Sequence, residues 1–450
     1  MSQVDCWVRE TEWRPLRDLV GHDLSNDDEG WWAREARAKA ERLRHDLKLR
    51  YVPLSLETRN GALHFRAMGV AGSLLLRGHT IQIAPKFVGP KNLAAGWQET
   101  ILTMLARARR RIFTYSPVRR IGFRRLSFVD HMALAYADAL ERALRQEAIH
   151  AYRTQEENAP CLRGRFAVER QIQAPLDRPH RIHCKVDYLD TDNQFNHLLH
   201  WAGRRFLALV FDGHVRRRLS VILGQLPAVS EPLRLATHLP LLAPPQYDRF
   251  SEALEIASMH ARGYGHAREP GRYSGYGYVL NMERLFESFV EESVKHAVTF
   301  VDPNYVARAQ VSQLYAKAIG HSGKSYYTRP DNVVYDADGK ALLLLDAKYK
   351  RFAEADEGDI SRPNNSDIYQ LFASLASHQC DRGLLLYPRL LEDAQDGDGT
   401  VRYWELHGAG TRFLAGAATV DICGLTSKKD LAAFDQQLAE LVRQVLTALS

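Results

Sequence analysis

The run Ala341-Leu342-Leu343-Leu344-Leu345-Asp346-Ala347-Lys348 constrains this chain more than any other stretch. Four consecutive leucines leave no polar face, so a strand built from them is buried on both sides, inside a layered sheet. Two opposite charges close that strand. Side chains alternate in direction along a strand, so Asp346 and Lys348 project together. Burying charge is costly unless it is paired or bound to a metal. Upstream, Arg329-Pro330-Asp331 opens an extended segment that reaches Tyr335, and Asp336 to Lys340 reads as a turn. The resulting hairpin carries Asp331 back beside Asp346 and Lys348. Two converging carboxylates can hold Mg²⁺ through oxygen ligands. Such an ion polarises a phosphate and acidifies a bound water. The lysine would position that water and offset developing charge. A bare D-x-K is equally what a surface hairpin with one ion pair contains; here the apolar strand before it argues for the buried alternative.

The surroundings of the hairpin read as an α/β sandwich. Residues 281–298 carry Met282, Leu285, Phe286, Phe289 and Val290 at helical spacing. Residues 366–378 read as a second helix and 384–387, closed by Pro388, as a buried strand. A further strand is expected at 401–406 and an amphipathic helix at 429–449. Helix, strand, strand, helix, strand is the order of a mixed sheet flanked by helices. Glu283, Glu287 and Glu291 lie along one flank of the first helix, and periodicity does not choose among them. Asp367 and Gln370, three apart, share a face of the second. Gln370 can turn toward a metal-bound water or a nucleic-acid backbone, or stand exposed.

The hairpin with its flanking helices looks like the PD-(D/E)xK nuclease fold. The chain further resembles the McrC family, the nuclease subunits of McrBC-type modification-dependent restriction systems. The resemblance rests on Met282-x-x-Leu285-Phe286-Glu287, Arg329-Pro330-Asp331, Asp346-Ala347-Lys348-Tyr349, Asp367-Ile368-Tyr369-Gln370 and Leu386-Tyr387-Pro388. Nearer the N-terminus it rests on Ile81-x-Ile83-x-Pro85-Lys86, Leu162-Arg163-Gly164-Arg165 and Asp192-Asn193-x-x-Asn196. Leu371-Phe372-Ala373-Ser374 departs from the L-x-A-Y-like run expected after Gln370, which touches packing more than catalysis.

The resemblance implies a C-terminal PD-(D/E)xK restriction-endonuclease-like domain over 276–450, preceded by an α+β region. The latter divides into a β-containing, partner-docking segment at 1–127 and a mainly helical one at 128–275. It implies Asp331, Asp346, Lys348, Glu287 and Gln370 as the catalytic set, with Asp331, Asp346 and Glu287 holding Mg²⁺, or Mn²⁺ in its place. It also implies a partner, an AAA+ GTPase ring of McrB type that selects modified DNA and whose hydrolysis this chain stimulates. The strands of 60–87 and the arginines of 107–125 are the docking candidates. Two other readings stay open: a catalytically inactive adaptor in such a complex, and a nuclease acting on RNA.

Elsewhere the chain speaks more softly. Residues 107–125 hold arginines at 107, 109, 110, 111, 119, 120, 124 and 125, which serve either as a solvated face or as phosphate contacts. With a net charge of +6 and a pI near 9.0 the whole is only mildly basic. Cys6, Cys161, Cys184, Cys380 and Cys423 form no C-x-x-C pair and suit reduced thiols. The charged N-terminus and the absence of a long apolar run lead us to expect a cytoplasmic protein with no membrane span. Ala318 to Ser325 matches a relaxed P-loop, but Tyr326-Tyr327-Thr328-Arg329-Pro330 continues as extended chain where a P-loop needs a helix. His197 and His200 are expected in packing or surface roles. Five prolines in 225–248 mark a connection, and a domain boundary is expected at about 270–278.

Overall fold

The computed structural model describes residues 7–21, 26–89, 96–108, 126–173, 181–230, 243–264, 277–319, 324–352, 362–390, 399–408 and 410–448. They form a mixed α/β structure with several sheets. It divides into two compact units, Met1–Phe128 with Tyr273–Ser450, and Val129–Arg272. The arginines from 109 to 125, residues 231–242 of the proline-rich connection, residues 320–323 of the P-loop-like run and the expected boundary up to residue 276 lie outside the described residues.

The first unit begins with β1 (Trp7–Arg9), β2 (Arg14–Pro15), α1 (Leu16–Val20), α2 (Asn26–Asp46), β3 (Leu54–Arg59), β4 (Ala62–Ala67), β5 (Val70–Leu76), β6 (His79–Ala84) and α3 (Trp97–Ala108). The alternation read in 63–67 is real: Leu63, Phe65 and Ala67 are buried, His64 and Arg66 only partly. Asn60-Gly61 and Arg77-Gly78 both place two successive residues at positive φ. That geometry matches the twist of tight hairpins. Of the 60–87 segment, these turns are the exposed part; β5 is almost wholly buried. Arg107, counted among the docking arginines, is instead buried in an ion pair with Asp435.

The second unit holds α4 (Phe128–Leu144), β7 (Ala151–Ala159), β8 (Arg165–Phe166), α5 (Val168–Ile172), β9 (Ile182–Asp190), α6 (Gln194–Leu209), α7 (Gly213–Leu223) and α8 (Ser251–Tyr264). Met132, Tyr136 and Leu140 are buried as the periodicity of α4 requires. The helix stops at Leu144, before the expected residue 150, and the chain turns into β7. The unit's three-stranded sheet, ordered β7-β9-β8, was not expected. His197 meets the Asp192 carboxylate at 2.5 Å, an acidic partner that sequence reading overlooked, and His200 donates to the Pro227 carbonyl.

The first unit then resumes with β10 (Gly277–Asn281), which pairs antiparallel with β5 and completes the sheet β1-β6-β5-β10. Helix α9 (Met282–Val301) follows, its first turn capped by Asn281. Next come β11 (Val306–Ala309), β12 (Gln313–Ala316), β13 (Tyr326–Thr328), β14 (Asn332–Tyr335), β15 (Ala341–Ala347), α10 (Asn365–His378), β16 (Arg382–Pro388), β17 (Arg402–Gly408), β18 (Thr411–Val420) and α11 (Lys428–Thr447). A six-stranded mixed sheet, ordered β11-β14-β15-β16-β18-β17, forms the centre. β15, β16 and β18 run parallel in its middle; of the leucine run of β15, Leu343, Leu344 and Leu345 are buried as expected, while Leu342 is only partly buried. Leu344, Leu385 and Tyr387 pack in one core with Leu371 and Leu375 of α10. Among the described residues, no helix is long and apolar enough to cross a membrane, and Cys161, Cys184, Cys380 and Cys423 are unbridged.

Candidate active site

The hairpin of β14 and β15 does what the sequence requires of it. Asn332 pairs with Leu345 and Val333 with Leu344. Continuing that register by one step sets Asp331 opposite Asp346, at the carboxyl end of β15. In open α/β sheets the carboxyl ends of parallel strands are where ligands are bound, and β15 runs parallel to β16. Leu344 faces α10, so Asp346 and Lys348, two and four residues on, lie on the α10 side as well.

Each carboxylate is held by named partners. Asp331 is buried. Its Oδ2 accepts the Ala347 amide at 2.7 Å and its Oδ1 accepts the Gln310 Nε2 amide at 3.0 Å. Gln310 sits in the left-handed region, with φ of 53°. That backbone, uncommon for a residue other than glycine, also lets its N–H donate to the Asp331 carbonyl at 3.1 Å. The Asp346 carboxylate meets the Lys348 ammonium at 2.5 Å. Lys348 Nζ in turn donates to Gln370 Oε1 at 3.1 Å. Gln370 is exposed, as one reading of its helix face had it, and from there its side-chain oxygen reaches back to the lysine. Three residues earlier on that face, Asp367 takes Lys350 at 2.7 Å and the Tyr387 hydroxyl at 2.7 Å, seating the start of α10 on β16.

The electrostatics follow from burial and crowding. Burial, then the neighbouring Asp346 charge, push the Asp331 carboxyl up to about 8. Burial alone would draw the Lys348 ammonium down; the Asp346, Asp331 and Asp367 carboxylates outweigh it and hold it above the ordinary lysine range. Burial and Glu283 push Glu287 up to about 7, with Lys348 opposing and Asp346 adding to the rise. Glu287 is thus within electrostatic reach of the site. Glu291 is occupied by Lys295 on the helix surface. Glu283 belongs to the neighbourhood of Tyr51 and Lys86.

The donor set suits a hard divalent cation. Asp331 and Asp346 offer oxygen alone, crowded until one of them binds a proton near neutrality, which is the condition a cation relieves. Among the described residues, no group of three or more His, Cys, Asp or Glu side chains is spaced to cage an ion by itself. Two carboxylates could hold an ion such as Mg²⁺, which keeps several waters and uses one or two carboxylates.

Gln310 is a site residue that sequence reading missed, because nothing in Gln-Val-Ser-Gln announces a left-handed turn or a distant carboxylate. A second missed group lies behind the site. The buried Glu10 carboxylate accepts from the Tyr349 hydroxyl at 2.7 Å, the Gly69 amide at 2.7 Å and the Lys86 amide at 3.2 Å. Lys86 Nζ donates to the Tyr349 carbonyl at 2.8 Å and lies 4.0 Å from that ring's centre. The P-loop-like run ends in strand β13, not a helix, so it lacks the element that would present amides to a phosphate.

A family model described as "McrBC 5-methylcytosine restriction system component" matches residues 65–388, well over half of the chain. Among solved structures, the chain is similar to one in the refined half-complex from the tetradecameric assembly of Thermococcus gammatolerans McrB AAA+ hexamers with bound McrC. The two are 17% identical over 96% of this chain and 98% of that one, with a TM-score of 0.63, a likeness of fold. It also matches the cryo-EM structure of the Thermococcus gammatolerans McrBC complex, 18% identical over 65% of this chain and 87% of that one, with a TM-score of 0.45. None of the curated proteins matches.

Proposed function

This chain belongs to the family of McrBC 5-methylcytosine restriction system components, and from that premise we propose that it is the Mg²⁺-dependent endonuclease subunit of such a system, hydrolysing DNA phosphodiester bonds. The observation that carries the reading is the convergence of Asp331, Asp346 and Lys348 at the carboxyl end of a central strand. A PD-(D/E)xK domain over 276–450 is the fold this implies. Asp331 and Asp346 would hold Mg²⁺, with Glu287 adding negative charge at the same place. When bound, the ion supplies Lewis-acid polarisation of a phosphate oxygen and lowers the pKa of a water. Lys348 supplies a fixed positive charge beside the scissile phosphate and a donor that orients the attacking water. Gln370 fixes the lysine's direction, and Gln310 with the Ala347 amide fixes the Asp331 carboxylate.

The similar Thermococcus structure places McrC on McrB AAA+ hexamers. A GTPase ring of that type is the partner proposed here, docking on segment 1–127 and stimulated by it. It would choose the DNA while this chain cuts it, in the cytoplasm. The test is cleavage of modified DNA by wild type, Asp346→Ala and Lys348→Ala with Mg²⁺, GTP and the partner ring. Each substitution is expected to lower the rate by at least about 100-fold, the scale of losing one preorganised charge. Cleavage by Asp346→Ala at the wild-type rate removes the assignment, and a wild type that cuts neither DNA nor RNA leaves the adaptor reading.

A further inference from the structure

Strands β12 and β13 form a ribbon of their own, separate from the six-stranded sheet. Each end of it is anchored at the candidate site. Gln310, clamped to Asp331 by two hydrogen bonds, stands three residues before β12. Thr328, the last residue of β13, stands three residues before Asp331. Three extended residues span at most roughly 10 Å, so the ribbon's base lies beside the carboxylate pair. Thr328 also hydrogen-bonds Ser377 of α10 at 2.5 Å, fixing the base to the helix that carries Gln370.

The ribbon itself is built unlike a core element. All four residues of β12 are exposed, and so are both tyrosines of β13. Tyr315 is 57% exposed, Tyr326 72% and Tyr327 63%. Tyr326 and Tyr327 are consecutive on a strand, so they present rings on opposite faces. Tyr315 falls at the bulge between Leu314 and Ala316, a place where ribbons re-aim a side chain. Residues 310–330 contain no Asp or Glu, whereas Lys317, Lys324 and Arg329 are all present and exposed. Large aromatics left mostly exposed on a purely cationic ribbon, whose strands lie beside α10, fit a partner that is at once planar and polyanionic. Unpaired nucleic acid has both properties: every base offers a stacking face, and every link a phosphate.

We propose that this ribbon binds a single-stranded stretch of the substrate, Tyr315, Tyr326 and Tyr327 stacking on unpaired bases while Lys317, Lys324 and Arg329 meet the phosphates. The assignment rests on the nuclease reading and deepens it, since the strand so held leads to the Asp331–Asp346 pair. It sets this surface apart from a duplex-groove reader, which would have no use for exposed stacking faces.

The test is fluorescence anisotropy of the full-length chain in EDTA with a short labelled oligodeoxythymidine, with its duplex, and with oligouridine, across a salt series. Tyr326→Ala with Tyr327→Ala is expected to weaken oligodeoxythymidine binding about tenfold or more, the scale of losing base–aromatic stacking. The salt slope should stay unchanged and the duplex should lose no more than about twofold. Tyr326→Phe with Tyr327→Phe keeps the stacking faces and is expected to bind as wild type. Lys317→Ala with Lys324→Ala should flatten the salt slope by about 1.4, two single-strand phosphates' worth. Oligouridine bound in preference to oligodeoxythymidine by wild type, and lost equally in the Tyr→Ala pair, keeps the surface and makes its strand RNA. The proposal is overturned if wild type binds neither strand, if the Tyr→Ala pair binds as wild type, or if it loses duplex and single strand alike. Because no metal is present, this outcome is independent of cleavage. Tyrosine-dependent binding in a chain that never cuts sinks the nuclease reading alone, while cutting with tyrosine-independent binding sinks the ribbon alone.

Discussion

Asp331 is the residue at which burial, charge and function meet. Its neighbours force a compromise: the Ala347 amide favours the carboxylate, while burial and Asp346 favour the acid and prevail. In the metal-free protein its folded pKa, about 8, lies above the unfolded value of about 4. The folded chain therefore binds a proton that the unfolded chain has released, and stability falls as pH rises. That contribution is complete below pH about 4 and is lost as pH climbs through about 8. Mg²⁺ works in the opposite sense, because it competes with that proton. Thermal midpoints in EDTA should drop between pH 5 and 9 more steeply for wild type than for Asp331→Asn, whose amide does not titrate. The midpoint gain on adding Mg²⁺ should grow with pH in wild type. Parallel curves for the two proteins in EDTA would show that Asp331 does not hold this proton.

At the scale of elements, α10 is what brings Gln370 to Lys348, and Gly383 of β16 is what lets α10 sit so close. A Cβ at residue 383 would lie 2.7 Å from Leu371 Cδ1 and 3.0 Å from its Cγ, and Leu371 is itself buried. Gly383→Ala should cost about 1–3 kcal/mol of stability, the usual penalty for overpacking, and should slow cleavage through its push on the residue next to Gln370. Adding Leu371→Val should restore part of both losses, measured by urea unfolding and by the cleavage rate. A Gly383→Ala protein with wild-type values in both assays would mean α10 rides freely on the sheet. This scale also marks what sequence reading reached. The leucines of β15, the hairpin and the helices α9, α10 and α11 were legible, because apolar periodicity is a local signal. Strand β7 was not, since Arg153 to Asn158 is polar throughout and is held by its ladder to β9. β18 hid for another reason: Ala415-Gly416-Ala417-Ala418 has low strand propensity and is a strand because of the neighbours it pairs with. Gln310 needed a backbone conformation that its sequence does not signal.

At the scale of the molecule, the first unit joins a sheet from the start of the chain to the strand that carries the site. Residues as far apart in sequence as Glu10 and Tyr349 touch there, and no local pattern announces such a pair. The Glu10 carboxylate is 1% exposed and has three donors, from β5's approach at Gly69, from Lys86 after β6, and from Tyr349 directly after Lys348. Burial draws the Lys86 ammonium below its ordinary range, and the Glu10 charge is the main influence opposing that. Removing the carboxylate takes that charge away from the part-buried ammonium and leaves the Gly69 and Lys86 amides and the Tyr349 hydroxyl without their acceptor, at a cost of about 1–3 kcal/mol for a buried group left unsatisfied. Tyr349→Phe deletes one hydrogen bond and should cost about 1–3 kcal/mol by leaving Glu10 under-satisfied. If Glu10 and Lys86 act as a unit, Glu10→Ala combined with Lys86→Met should cost clearly less than the sum of the single changes, because the second substitution removes the ammonium that Glu10 no longer offsets. Unfolding in urea measures all four proteins, and the cleavage rate of Tyr349→Phe reports whether Lys348 stays in place when its neighbour is loosened. Additive costs for Glu10→Ala and Lys86→Met would mean that the two sides are joined by packing alone, and that the polar cluster behind the site is a bystander to it.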